Sequence, residues 1–342
     1  MSKNRVTLQS IAEACGLSRN TVSKVFNNRG AVPESTRQLV MEKAREMGYF
    51  AILESASGET PTRSIAVFSR SGSLNHMFGL LFLKGFTDTL CREGYVVQMY
   101  ELSETEISSL QLPQKMALDN TVGILGIELF DKNYICHLCS LGIPVILADG
   151  HYGIRKTIIP CDVVSMENYA STAAITRQII EEGAKTLGFI GDIHHCNSFY
   201  ERWEGFCSAL GQAGIKVDRQ VCIQEKDGIQ YGDIEWTLEQ LRNMPYMPDA
   251  FVCANDYHAM RMTLALQKMG LSIPEDIMVS GFGDSLEADI IAAGLTTASI
   301  PSADMGIFAA YLLLSRELNP ERPFGLTYMR TDPIYRGSTK RE

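Results

Sequence analysis

A chain of 342 residues, 45% hydrophobic and 21% charged, is too long for one core of usual size, so two or three globular domains are expected. No apolar run reaches the roughly 18 residues of a membrane span, and the start Met1-Ser-Lys-Asn-Arg-Val-Thr7 lacks the apolar centre of a secretory signal. Nine cysteines without a regular framework then imply reduced thiols and the cytosol. The net charge of −9 argues against nucleic acid for the whole chain, but residues 1–50 hold eight Lys/Arg and four Glu, a net of +4, leaving −13 for the rest. A basic head on an acidic body is expected where only the head meets phosphate.

The first fifty residues predict three short helices. Thr7 caps the first, with Leu8, Ile11, Ala12 and Cys15 on one face, and Gly16 ends it. Ser18 caps the second, whose apolar face is Val22, Val25 and Phe26 and whose polar face is Arg19, Asn20, Ser23 and Lys24. After a loop with Asn27, Asn28, Gly30 and Pro33, a third helix turns Val40, Ala44 and Met47 inward. This is the pattern of a helix-turn-helix, whose second helix lays its first residues against base edges in the major groove. Arg19 suits guanine and Asn20 suits adenine, each by a bidentate pair, with Lys24 beside them. Ser10, Thr21, Ser23 and the helix-start amides suit phosphate. The bland alternative is a small bundle with a solvated polar face.

A polar stretch from Ser55 to Arg63 predicts a linker. Beyond it, short apolar runs alternate with helix-length segments: 65–68, 96–99, 123–127, 145–148, 187–191, 250–254 and 277–281. Such alternation predicts doubly wound parallel sheets, and about 280 residues suit two lobes.

The string from Val6 to Asn27, followed by Val32-Pro-Glu-Ser-Thr-Arg37 and Glu46-Met-Gly-Tyr49, closely resembles the head of the lactose-repressor/galactose-repressor (LacI/GalR) family. The resemblance implies contacts to operator DNA from Thr7, Leu8, Ser18, Arg19, Asn20, Thr21, Ser23, Lys24, Asn27 and Arg29, in a homodimer. The family's hinge begins Tyr-x-Pro-Asn. Here Ala51-Ile52 replaces Pro-Asn, Glu54 adds a negative charge, and Ser57 or Gly58 stands where a wedging leucine is expected, so minor-groove insertion is in doubt.

From Ser64 onward the chain resembles the family's two-lobed module with the fold of periplasmic sugar-binding proteins. The landmarks are Glu201-Arg-Trp-Glu-Gly-Phe206, Phe251-Val-Cys-Ala-Asn-Asp256, Ile273-Pro-Glu-Asp-Ile277 and Arg336-Gly-Ser-Thr339. The expected architecture is a helix-turn-helix head (1–50), a degenerate hinge (51–63) and an effector-binding and dimerisation module (64–342). Lobe 1 takes about 64–161 and 294–321, and lobe 2 about 162–293 and 322–342, with crossings near Cys161, Ala293 and Arg322. The resemblance places a small-molecule effector between the lobes, a sugar or sugar derivative first, at Phe78, Asp149, Arg202, Asn255 and Asp256. The family has aspartate directly after Gly-aromatic, whereas Gly281-Phe-Gly-Asp284 delays it, so Asp284 must swing in to serve. A nucleobase, an amino acid or a phosphorylated ligand is the alternative.

Other signals are weaker. Cys136-His-Leu-Cys139 has metal or redox spacing but no second Cys or His pair close in sequence, and His194-His195-Cys196 reads as loop. No nucleophile elbow or Walker sequence occurs. Neither an enzyme nor a cofactor or metal protein is expected, and an exported binding protein would lack the basic head.

Overall fold

The computed structural model describes residues 8–26, 32, 33, 35–37, 39, 40, 43, 63–70, 77–286, 288 and 294–341. The chain divides into two compact units, Met1–Thr62 and Arg63–Glu342.

In the first unit α1 spans Leu8–Cys15 and α2 spans Arg19–Phe26, with further helical residues at 35–37, 39, 40 and 43. Gly16 takes φ +64°, a left-handed conformation that a side chain would strain, and so ends α1. The next amide, on Leu17, returns to the Ala12 carbonyl at 2.9 Å. Ser18 then caps α2, its Oγ accepting from the Thr21 amide at 3.1 Å. Ile11, Ala12, Val22, Val25 and Val40 close a small core, which Cys15, Leu17 and Val32 flank.

The second unit contains two parallel sheets. The first has the order β10-β5-β4-β3-β1-β2, built from β1 (Ser64–Arg70), β2 (Val96–Leu102), β3 (Thr121–Ile127), β4 (Val145–Ala148), β5 (Asp162–Met166) and β10 (Leu326–Met329). Helices α3 (Met77–Arg92), α4 (Glu104–Ser109), α5 (Lys132–Ser140) and α10 (Ser302–Leu318) belong with it. Alternation along β1 sends Ile65 and Val67 to one apolar layer and Ala66 and Phe68 to the other, which is why the run is apolar throughout. Helices α3 and α10 approach so closely that a Cβ on Gly85 would stand 2.1 Å from the Ala303 carbonyl oxygen, and one on Gly306 2.0 Å from that of Phe82.

The second sheet has the order β6-β7-β8, from Leu187–Ile190, Ala250–Cys253 and Met278–Ser280. A bridge from Ser280 to Thr296 continues it towards the antiparallel pair β9 (Thr297–Ser299) and β11 (Asp332–Ile334). Helices α6 (Tyr169–Glu181), α7 (Asn197–Gln212), α8 (Ile234–Asn243) and α9 (Asp256–Lys268) complete this lobe.

The crossings fall later than the sequence suggests. After Cys161 the chain still forms β5, paired with β4 through Ile146 and Asp162, and after Arg322 it forms β10, paired with β5. Segment 294–299 belongs to lobe 2 rather than lobe 1, because Thr296 and β9 join the second sheet. The passages therefore lie after Met166, after Ser299 and after Met329. Asp162 is the reason at two of them. Its carboxylate accepts from Arg316 Nε at 2.9 Å, Arg316 Nη2 at 2.8 Å and the Gly325 amide at 2.9 Å, tying β5, α10 and the approach to β10 into lobe 1.

Candidate DNA-reading helix and inter-lobe cleft

On α2 the buried positions Val22 and Val25 fix which face turns outward. Ser18, Arg19, Asn20 and Lys24 are exposed, while Thr21 and Ser23 are half-buried. The Ser18 hydroxyl is committed to the Thr21 amide and, at 2.8 Å, to the Thr21 hydroxyl, so these two side chains shape the helix start. Arg19 and Asn20 are the first two residues after that cap and project donors and an amide from a braced helix. Leu8 opens α1. Thr7, Asn27, Arg29 and the hinge residues 49–58 lie outside the described residues.

In the two-lobed unit, Asp149 follows β4 and Glu128 follows β3, while Asn255 and Phe282 follow β7 and β8 of the other lobe. Open α/β sheets bind ligands at such carboxyl ends. Backbone strain gathers there too: Glu128, Asp149 and Asp284 take φ values of 50°, 64° and 50°.

Arg202, on α7, is 5% exposed. Its Nε donates to Asn168 Oδ1 at 3.0 Å and its Nη1 to the Ala254 carbonyl at 2.6 Å. The guanidinium lies 3.9 Å from the Phe282 ring centre. Burial lowers its pKa from the ordinary value, against the opposing pull of Asp149, Asp256 and Glu201. Two of its nitrogens thus hold the planar charged group rigidly, and Nη2 has no hydrogen-bond partner among the described residues.

Asp149 is also buried, accepting from the Gly150 amide at 2.7 Å and from Ser165 Oγ at 3.3 Å. Its other oxygen accepts from Ser198 Oγ of the opposite lobe. The lobes meet directly beside it, since the Asn197 amide donates to the Gly150 carbonyl at 2.9 Å and His151 bridges Cys196. Phe130 and His195 face each other across the same seam, ring centres 5.1 Å apart.

Asn255 Oδ1 caps α9, accepting from the His258 amide at 2.8 Å. Asp256 is buried and accepts from Thr297 Oγ1 at 2.6 Å and the Ser285 amide at 2.7 Å, and so ties its loop down. Asp284 does not swing in as the usual family aspartate would: its carboxylate is paired with Arg336 at 2.8 Å. Phe78, near the start of α3, is half-buried with its ring 5.7 Å from that of Phe82.

Several residues that the sequence analysis did not assign stand at the cleft. Asn168 orients Arg202 and donates to Glu201 Oε2 at 2.8 Å, and Tyr328 donates to Glu201 Oε1 at 2.5 Å. Glu201 was visible inside the landmark string, but only the fold brings Asn168 and Tyr328 to it. Glu128 is the other omission. Burial first, then Asp149 and Asp227, pushes its carboxyl up to about 8. Among the described residues no group of three or more His, Cys, Asp or Glu side chains is arranged to hold a metal ion.

Comparison with known proteins bears on both units. The model for bacterial regulatory proteins of the lacI family matches residues 7–51, and that for the periplasmic binding protein-like domain matches residues 176–339. The head is a lacI-family DNA-binding domain. The chain is 25% identical over 339 residues to a probable HTH-type transcriptional repressor, ExuR, of Bacillus subtilis (strain 168), covering 98% of this chain and 99% of that one. It is also 25% identical over 340 residues to the repressor CytR of Escherichia coli (strain K12), covering 98% and 96%. In fold it matches the transcriptional regulator CelR in complex with cellobiose, at TM-score 0.70 and 23% identity over 98% of this chain and 100% of that one. The lac repressor dimer bound to operator and an anti-inducer matches at TM-score 0.70 and 20% identity over 99% and 100%. The chain is therefore a sequence-specific DNA-binding transcriptional regulator, with a helix-turn-helix head and a two-lobed α/β module.

Proposed function

We propose that this regulator is a repressor that acts in the cytoplasm as a homodimer, without enzymatic activity. A small molecule held between the lobes sets its affinity for a pseudo-palindromic operator. The observation that carries this reading is the arrangement around Arg202: a buried guanidinium stacked on Phe282, with one nitrogen unpaired among the described residues, in the same cleft as the carboxylate of Asp149. A rigid charged donor and a carboxylate acceptor in one cleft suit a polyhydroxylated ligand, whose hydroxyls can both donate and accept. The Asp149 carboxylate already accepts from the Ser198 hydroxyl, which supports assigning it ligand hydroxyls as donors. Sugars and sugar derivatives are accordingly the first class to test, in keeping with the cellobiose bound to the similar CelR. A ligand that prefers one lobe arrangement shifts the operator-binding population by that difference in affinity.

The test is a thermal-shift screen of sugars, sugar phosphates, nucleosides and amino acids, followed by operator titration with each hit. A sugar-class hit that changes operator affinity supports the reading. Stabilisation only by nucleosides or amino acids would redirect the ligand class, and stabilisation that leaves operator affinity unchanged would remove the regulatory link.

A further inference from the structure

Helix α7 carries two faces of different chemistry. Phe199, Trp203, Phe206 and Leu210, at i, i+4, i+7 and i+11, are buried in one apolar layer. Asn197, Glu201 and Glu204, at i, i+4 and i+7, are polar and meet Tyr328 and Arg155 of the other lobe. Glu201 is 4% exposed, and a carboxylate so buried requires partners. It has three. Tyr328 donates its hydroxyl to Oε1 at 2.5 Å, Arg155 Nε stands 3.4 Å from the same oxygen, and Asn168 Nδ2 donates to Oε2 at 2.8 Å. Arg155 is steadied in turn by Glu204 at 2.5 Å.

The partners of Glu201 stand where the chain changes lobes. Asn168 follows β5 at the first passage, and Tyr328 lies on β10 just before the third. Those two passages are fastened to each other. The Glu167 amide donates to the Met329 carbonyl at 2.7 Å, Thr331 Oγ1 donates to the Glu167 carbonyl at 2.8 Å, and the Ser171 and Thr331 hydroxyls share a hydrogen bond at 2.8 Å. Asn168 also faces the effector cleft, since its Oδ1 accepts from Arg202 Nε at 3.0 Å. An unbroken run of hydrogen bonds, Tyr328 to Glu201 to Asn168 to Arg202, therefore leads from lobe 1 to the buried guanidinium.

We propose that Glu201 is a positioning residue that latches the two lobes together through Tyr328 and Arg155 and, through Asn168, ties the setting of Arg202 to that closure. The proposal rests on the reading that Arg202 meets a ligand between the lobes. Parting the lobes carries Tyr328 and Arg155 away and leaves a buried carboxylate with Asn168 alone, which is costly until water enters or the side chain turns. Asn168 then loses the fixed acceptor that orients it, and Arg202 loses its braced Nε partner. A ligand that binds the closed arrangement gains apparent affinity in proportion to how much of the chain is already closed, so the latch sets the effector concentration to which the regulator responds.

Two ligand-free measurements on the full chain test this, whatever molecule the cleft takes. Hydrogen exchange over residues 193–201 includes the Asn197 amide, whose partner is the Gly150 carbonyl of the other lobe, and phenylglyoxal labelling reads the accessibility of Arg202. Tyr328→Phe removes the hydroxyl that Glu201 binds and keeps the ring. Glu201→Gln keeps the size, but its single oxygen cannot accept from Tyr328 and Asn168 together. Each variant should raise both exchange and Arg202 labelling several-fold while α10 exchanges as before. The double variant should do no more than the stronger single one, because both cut the same contact. Circular dichroism verifies folding, and should Glu201→Gln fail to fold, Tyr328→Phe decides alone. Unchanged exchange or unchanged labelling in Tyr328→Phe, a rise shared equally by α10, or effects that add in the double variant overturns the proposal. A latch found without any sugar-class hit in the thermal screen would sink only the sugar reading, and a sugar hit without the latch only this proposal.

Discussion

Exposed Arg19 and Asn20 and buried Arg202 and Glu128 each support a separate expectation. Arg19 and Asn20 are exposed and contribute nothing to the head's core, so replacing both by Ala should leave the fold intact. Each good bidentate base pair contributes about 1–3 kcal/mol of discrimination. The double variant should therefore lose roughly two to four orders of magnitude of operator preference over random DNA in a gel-shift titration, and an unchanged ratio would remove them as base readers. Arg202→Ala should abolish the response to the effector while operator binding without effector persists, as read by repeating that titration with and without ligand. Glu128 bears on pH. Its carboxyl is pushed up to about 8 in the folded chain from the ordinary 4.5 of an unfolded one, so between those values only the folded state keeps the proton. Stability from this group is complete below 4.5 and falls as pH rises towards 8. Thermal midpoints should accordingly decline across that window, and Glu128→Gln should flatten the decline. An identical slope in the variant would show that other groups cause it.

Elements differ in how far their sequence announces them. Head helices were legible because Gly16 and Ser18 perform the local chemistry their types predict, and because Val22 and Val25 leave one polar face. Strands β1, β3, β4, β6 and β7 were legible as apolar runs buried on both sides. By contrast β5 reads Asp-Val-Val-Ser-Met, its run broken by polar residues that bond Arg316 and Asp149. Edge strand β10, only half-covered, carries no strong pattern either. Missing those two strands put the crossings too early. The cleft residues show the same division. Arg202 is visible in its string and Asp149 at the end of its strand, whereas Asn168 and Tyr328 join them only through Glu201 and Arg202, contacts that no local spacing encodes. The contact of α3 with α10 gives the element-scale test. Gly306→Ala would drive a methyl onto the Phe82 carbonyl and force the helices apart. Overpacking of this kind costs roughly 1–3 kcal/mol, enough to lower the urea midpoint measurably. An unshifted midpoint would mean that the helices separate freely.

For the whole molecule, charge is partitioned: +4 lies in residues 1–50 and −13 in the rest of a chain of net −9. Operator affinity should fall steeply with salt, as counterions released from phosphate dominate binding. A log–log plot of affinity against salt that stays flat would exclude phosphate contact as the main source of affinity. A second whole-molecule property follows from the three passages after Met166, Ser299 and Met329. Neither lobe is a continuous stretch of chain, and any one cut within the module leaves at least two covalent straps spanning the gap. A protease that nicks a single exposed loop should therefore yield fragments that migrate together under native conditions and part only in denaturant. The same triple strap resists swivelling of one lobe on the other and leaves a door-like opening as the easy motion.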